Sequence, residues 1–107
     1  MYYLYILHSA KSDRYYVGIT EHPFRRLWEH NHSERDTYTS KHRPWMLEAV
    51  FECNNTLGEA RKMENIVKKA KSRKLIQQLL RPDCKPAGKL DTLVRVRTDE
   101  LPEFIPD

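Results

Sequence analysis

Apolar and polar residues alternate with period two at the start of the chain and change to a helical period soon after. In YYLYILHS, residues 2–9, alternation puts Tyr3, Tyr5 and Leu7 on one face and Tyr2, Leu4 and Ile6 on the other, which predicts a strand. The polar AKSDR marks a turn. YYVGIT then reads as a second strand, with Tyr15, Val17 and Ile19 on one face and Tyr16 and Gly18 on the other. So short a connection predicts an antiparallel hairpin. With Leu4, Ile6, Tyr15, Val17 and Ile19 against a core, Tyr5 and Tyr16 emerge together on the opposite face.

Residues 22–31 predict a short helix with Phe24, Leu27 and Trp28 as its apolar stripe. Thr20 suits the N-cap, Pro23 the first turn and Asn31 the C-terminal end. Arg26 and His30, at i and i+4, share one face. NHSERDTYTSKHRP is a long polar connection, and WMLEAVFEC a third strand. A helix follows from about Leu57 to Lys71, with Ala60, Met63, Val67 and Ala70 as its buried stripe and Glu64 on the flank. Ser72 caps a shorter helix, SRKLIQQLL, which Pro82 stops. KLDTLVRVRT reads as a late strand, before an acidic tail. The expected fold is α+β, a small, mainly antiparallel three-stranded sheet flanked by helices. It divides into a domain at 1–81 and a C-terminal extension at 82–107.

A chain of 107 residues suffices for one compact domain, which buries about 65% of its unfolded surface. Charged residues make up 32% of it, and no apolar run approaches a membrane span. The first ten residues lack the basic leader of a signal peptide. Cys53 and Cys84 have no CxxC spacing. These features give a soluble cytoplasmic protein as the expectation, with no membrane partner.

The net charge of +4 is unevenly spread. Residues 61–81 hold eight Lys or Arg against one acid, Glu64, whereas residues 91–107 hold two basic and five acidic residues. A segment at +7 is a candidate phosphate-binding face, or else a solvated helix surface. The acidic tail is a candidate competitor for it.

Singly, the chemistry-bearing residues have ordinary explanations. Tyrosines are common in strands, and Arg61 and Lys68 flank Glu64 at i−3 and i+4 as surface ion pairs would. Gly18 stands alone, so there is no Gly-rich phosphate loop. His30, His32, Cys53 and Cys84 lack zinc-site spacing.

In order, however, YLY at 3–5, YVG at 16–18, RRLWEHN with Arg26 and His30, and EARKMENIVKKAKSRKLIQQL with Glu64 resemble the GIY-YIG nuclease superfamily. The likeness is to its small single-domain bacterial branch, akin to the UvrC N-terminal domain, and spans about residues 2–80. Tyr3 stands where the first signature has Gly. The resemblance implies a divalent-metal-dependent endonuclease hydrolysing phosphodiester bonds, structure-selective and of the repair or recombination type. It implies Glu64 as ligand of one Mg²⁺ or Mn²⁺ ion. Arg26 would contact the scissile phosphate, Tyr5 would serve as general base or orient the attacking water with Tyr16 beside it, and His30 would orient water or phosphate. The division of labour between the tyrosines stays open. Gly18 would leave room for the phosphate, and Lys41, His42, Arg61, Lys68 and Lys71 would join Arg26 in holding nucleic acid. The expected partner is branched, damaged or single-stranded DNA, with RNA open and a protein partner supplying specificity. The alternative is a nucleic-acid-binding module of the same fold with little or no cleavage.

Overall fold

A computed structural model describes residues 1–106. Its sheet has the strand order β2-β1-β3-β4, with β1 Tyr2–Ser9, β2 Arg14–Thr20, β3 Trp45–Asn54 and β4 Val94–Val96, all neighbours antiparallel. The late strand thus joins as a fourth, giving four strands where three were expected; only three of its residues pair. Helix α1 spans Pro23–His32, α2 Leu57–Ala70 and α3 Arg73–Leu80.

The alternation in β1 and β2 sends side chains where the pattern predicts, but both faces of the sheet are covered. Leu4, Ile6, Val17 and Phe51 form one core with Ala60 and Val67 of α2 and Leu79 of α3. Tyr5, Leu7 and Val50 form a second on the other face, against Phe24 and Leu27 of α1. Tyr5 therefore does not emerge; it is 1% exposed, because α1 folds back over the face that the hairpin alone leaves open.

Strand β3 serves both cores by changing step. Trp45 and Leu47 lie in the Tyr5 core, and so does Val50, while Ala49, Phe51 and Cys53 lie in the other. The shift comes at Glu48, which the register with β1 skips between Leu47 opposite Leu7 and Ala49 opposite Ile6. Such a bulge turns the residues before it to the opposite face from the one simple alternation gives.

Local caps set the helix ends. α1 is capped by His22, whose Nδ1 accepts the Arg25 N–H at 3.3 Å, and Thr20, the predicted cap, instead accepts the His22 N–H at 3.1 Å. Thr56 and Ser72 cap α2 and α3 by accepting from the Glu59 and Leu75 N–H groups. Lys71 ends α2 in the left-handed conformation, φ 46°. The stripe of α2 runs through Ala60, Met63, Ile66 and Val67, not on to Ala70, which is exposed where the helix leaves the sheet. Glu64 lies one turn on from Ala60 and is buried rather than flanking.

The extension packs on the rest of the chain. Leu90 and Leu93 enter the core under α2 and α3, and Leu101 enters the Tyr5 core. The Phe104 ring lies 5.8 Å from that of Trp28 on α1. Leu101 and Phe104 thus lie across the sheet from α2 and α3, whereas Arg95 donates to the Leu79 and Arg81 carbonyls at the end of the basic segment. Among the described residues no helix is long and apolar enough to cross a membrane.

Candidate active site

Tyr5 on the central strand pairs directly with Gly18 on the edge strand β2. A Cβ at Gly18 would stand 2.4 Å from the Tyr5 hydroxyl oxygen, well inside contact distance. The space that Gly18 leaves is thus filled by Tyr5 and not kept for a phosphate. The glycine lets the phenol lie across the outer strand.

His30, reaching down from α1, holds that phenol, with its Nε2 2.8 Å from the Tyr5 hydroxyl and its Nδ1 3.1 Å from Thr39 Oγ1. Thr39 Oγ1 is in turn 3.2 Å from Thr37 Oγ1, and the Thr39 carbonyl accepts the Trp45 indole N–H at 2.8 Å. Both His30 nitrogens are therefore spent on protein groups, so it positions Tyr5 and offers no nitrogen to the water or phosphate it was expected to orient. Burial, with the charges of Arg26 and Arg43, pulls its pKa down to about 4, so it is neutral at pH 7. Arg43 also closes the end of α1, donating to the His30 and Ser33 carbonyls at 2.6 Å each. Asn31 does not cap α1 but ties it to β3, accepting the Trp45 N–H at 2.7 Å and donating to the Trp45 carbonyl at 3.0 Å.

Burial is also the main reason the Tyr5 hydroxyl is a far weaker acid than a free phenol, with Tyr16 and the Glu64 charge adding to the effect and Arg26 opposing it. Tyr5 is thus a neutral phenol at pH 7. Tyr16 is half-buried, its ring 6.3 Å from Tyr5 and 4.8 Å from His30. On its other side the Lys68 ammonium stands 5.3 Å from the ring centre.

Glu64 comes to the same edge from α2, with a side chain 10% exposed. Its Oε2 is 3.4 Å from Lys68 Nζ and its Oε1 is 3.9 Å from Arg61 Nη1. Two clefts meet at Tyr16. One, of about 600 Å³, is lined by Arg26, His30, Arg35 and Tyr38; the other, of about 530 Å³, by Arg14, Lys68, Lys71, Arg73 and Tyr38. Arg26 is half-exposed and pairs only loosely, its Nη1 3.4 Å from Glu29 Oε1, which leaves donors for an incoming anion.

Of the other residues expected to hold nucleic acid, Lys41 is exposed on a 3₁₀ turn at Thr39–His42. His42 is tied to Ser12, Nδ1 to Oγ 2.8 Å. Thr39, Arg35 and Tyr38, none of them an expected site residue, come from the polar connection, where no periodicity marks a residue as reaching a site.

Among the described residues no three His, Cys, Asp or Glu side chains gather into a metal cage, and Cys53 and Cys84 are free. The lone carboxylate of Glu64 is a hard oxygen donor. That suits Mg²⁺ or Mn²⁺, which keep several waters and share phosphate oxygens, and does not suit a caged zinc.

The model of the GIY-YIG catalytic domain matches residues 1–77, a span that takes in Tyr5, Tyr16, Arg26, His30 and Glu64. A search of curated proteins finds no match. Since the matched span covers the whole sheet apart from β4, and most of the helical layer, this chain belongs to the GIY-YIG catalytic domain family.

Proposed function

We propose that the protein is a divalent-metal-dependent endonuclease that hydrolyses phosphodiester bonds in DNA, selecting structure rather than sequence, as repair and recombination nucleases do. The observation that carries this reading is that Tyr16, where two cation-lined clefts meet, shares one cleft with Arg26, packs near the Tyr5 ring and is linked through Lys68 to Glu64. Glu64 would hold one Mg²⁺ or Mn²⁺ ion, which when bound supplies charge relief at the phosphate and acidifies water.

The chain's own groups supply the rest. Arg26 offers a planar pair of donors to a phosphate oxygen on which charge grows. Tyr5 donates its proton to His30 Nε2, with His30 Nδ1–H donating to Thr39, and this leaves the phenol oxygen free to accept from the attacking water. As that water's oxygen bonds to phosphorus, its proton passes to Tyr5 and the Tyr5 proton passes to His30. The leaving 3′-oxygen takes a proton from solvent. His30 is a poor acceptor first because it is buried and then because of the charges of Arg26 and Arg43, and a phosphate on Arg26 offsets the second of these. Substrate binding thus raises the basicity of the imidazole that is to receive the proton. Tyr16 lines both clefts and braces His30 and Lys68.

A second reading, a binding module without cleavage, draws on one observation: both Glu64 oxygens are already matched by Arg61 and Lys68. Cleavage of labelled single-stranded, duplex, flap and junction DNA and of RNA, with Mg²⁺, Mn²⁺ or EDTA, separates the two. The nuclease reading expects metal-dependent products that Glu64→Gln lowers by about 10³-fold, the several kcal/mol a Lewis acid supplies, while binding persists. Retention of bound substrate with no product under any metal decides for the module.

A further inference from the structure

We propose that Tyr38 is a stacking platform for an unpaired nucleobase beside the scissile phosphate, so that the substrate strand is single or splayed where it is cut. This rests on the endonuclease reading and narrows its substrate. Tyr38 is 47% exposed, although the residue after it is buried in the hydrogen-bonded cluster around His30. It lines both clefts, as Tyr16 does, and so stands at their junction.

Its backbone is fixed although its ring is open. The Tyr38 carbonyl accepts the Lys41 N–H at 3.3 Å, and the next residue, Thr39, is bound to His30 and to the Trp45 indole. Among the described residues the ring packed on it is that of His42, 4.8 Å away and tilted by 53°, itself anchored on Ser12. An exposed ring on a fixed backbone loses little entropy when a flat partner settles on it.

Cations flank the ring on both sides, Arg26 and Arg35 in one cleft and Lys68 and Lys71 in the other. A strand running through both clefts keeps its phosphates on these cations and brings one base to Tyr38. Exposed aromatics between backbone-tracking cations are how proteins hold single strands without reading sequence. In a duplex every base face is already covered by its neighbours, so Tyr38 gains a partner only where the strand is unpaired or a base is turned out. The clefts are of the size that receives small ligands.

The test uses the full chain in EDTA, which prevents cleavage, with an oligonucleotide carrying 2-aminopurine, alone or annealed to its complement. Binding is read by anisotropy and stacking by quenching of the 2-aminopurine emission. The wild type is expected to bind the single strand more tightly than the duplex and to quench it. Tyr38→Ala should weaken single-strand binding about 5- to 150-fold and abolish the quenching, leave duplex binding within about twofold, and leave the melting curve unchanged. Tyr38→Phe should restore both signals. A loss in Tyr38→Ala that is equal for both substrates, or absent for both, overturns the platform while leaving the nuclease reading intact. A wild type that binds neither substrate overturns both. Binding and quenching without cleavage when metal is restored sinks the nuclease reading alone.

Discussion

The two faces of the sheet are built from the same strands yet are different materials. Under α2 and α3 the buried residues are almost wholly apolar, Leu4, Ile6, Val17, Phe51, Val67 and Leu79 among them. Under α1 the packing of Tyr5, Leu7, Trp45 and Val50 is threaded by hydrogen bonds through His30 and Thr39. Buried polar groups are costly when left unmade, so each hydrogen bond on the α1 face fixes a position as well as filling a volume. The apolar face tolerates any filling of the right size; the α1 face demands particular atoms. Alternation along β1 assigns a residue to one material or the other, and Gly18 on the edge strand is where the Tyr5 phenol lies across the outer strand.

Substitutions matched across the sheet sharpen that contrast. The largest effects are expected from Gly18→Ala and Leu79→Ala. The new methyl at Gly18 must push the Tyr5 phenol away, which should cut cleavage about 100-fold, the effect of displacing a reacting group by an ångström, and cost about 1–3 kcal/mol of stability. Leu79→Ala should cost about 2–5 kcal/mol yet leave the single-turnover rate of the folded fraction unchanged. Should Leu79→Ala slow the folded enzyme more than Gly18→Ala does, the division between the faces fails.

Next comes acid. His30 is pulled from 6.5 to about 4 in the fold, so below pH 6.5 the unfolded chain takes up the proton first. The stability tied to its neutral state is intact above that pH and is lost as pH falls toward 4. Denaturant midpoints of wild type and His30→Gln, compared at pH 7 and pH 4, should show the wild type losing about 3 kcal/mol more. Parallel losses would mean that the imidazole is not held neutral. Leu101→Ala should cost somewhat less, about 2 kcal/mol, because it empties one position at the rim of the Tyr5 core; the accompanying fall in cleavage should exceed that of an equally destabilising change under α3. The smallest effect is expected at Gly58, a helical glycine around which nothing lies within 4 Å of an added Cβ. Gly58→Ala should raise stability by about 0.5 kcal/mol, opposite in sign to Gly18→Ala, as thermal melts of the two would report.

Much of this arrangement was legible in the sequence. Alternation in residues 2–9 and 15–19 assigns every side chain to its observed face, and the three α-helices lie where period and caps put them to within a residue or so. The burial of Tyr5 was not legible, because the stripe of α1 is short and its core is completed by Leu101, in a segment without periodicity. His22 as a cap, the exposed Ala70 and the short pairing of β4 were missed for a related reason. Histidine seldom caps, alanine fits either environment, and three paired residues are too few to show a period. Of the site, Tyr5, Tyr16, Arg26, His30 and Glu64 were reached through ordered motifs. Thr39, Arg35 and Tyr38 were not, since only the fold of a polar connection brings them in.

Strand β3 carries one last consequence. Because it changes step at Glu48, its two halves are written in different reading frames relative to the sheet. Deleting Glu48 would join the two frames with every side chain on its present face, whereas deleting the exposed Met46 would be a frameshift in space: Trp45 would trade sides. Trp45 would leave the Thr39 carbonyl, and with it would go the grip on the threonine that steadies His30. A change of one residue on the exposed side of a strand, far from any motif, would thereby unmake the hydrogen-bonded chain that ends at the Tyr5 hydroxyl.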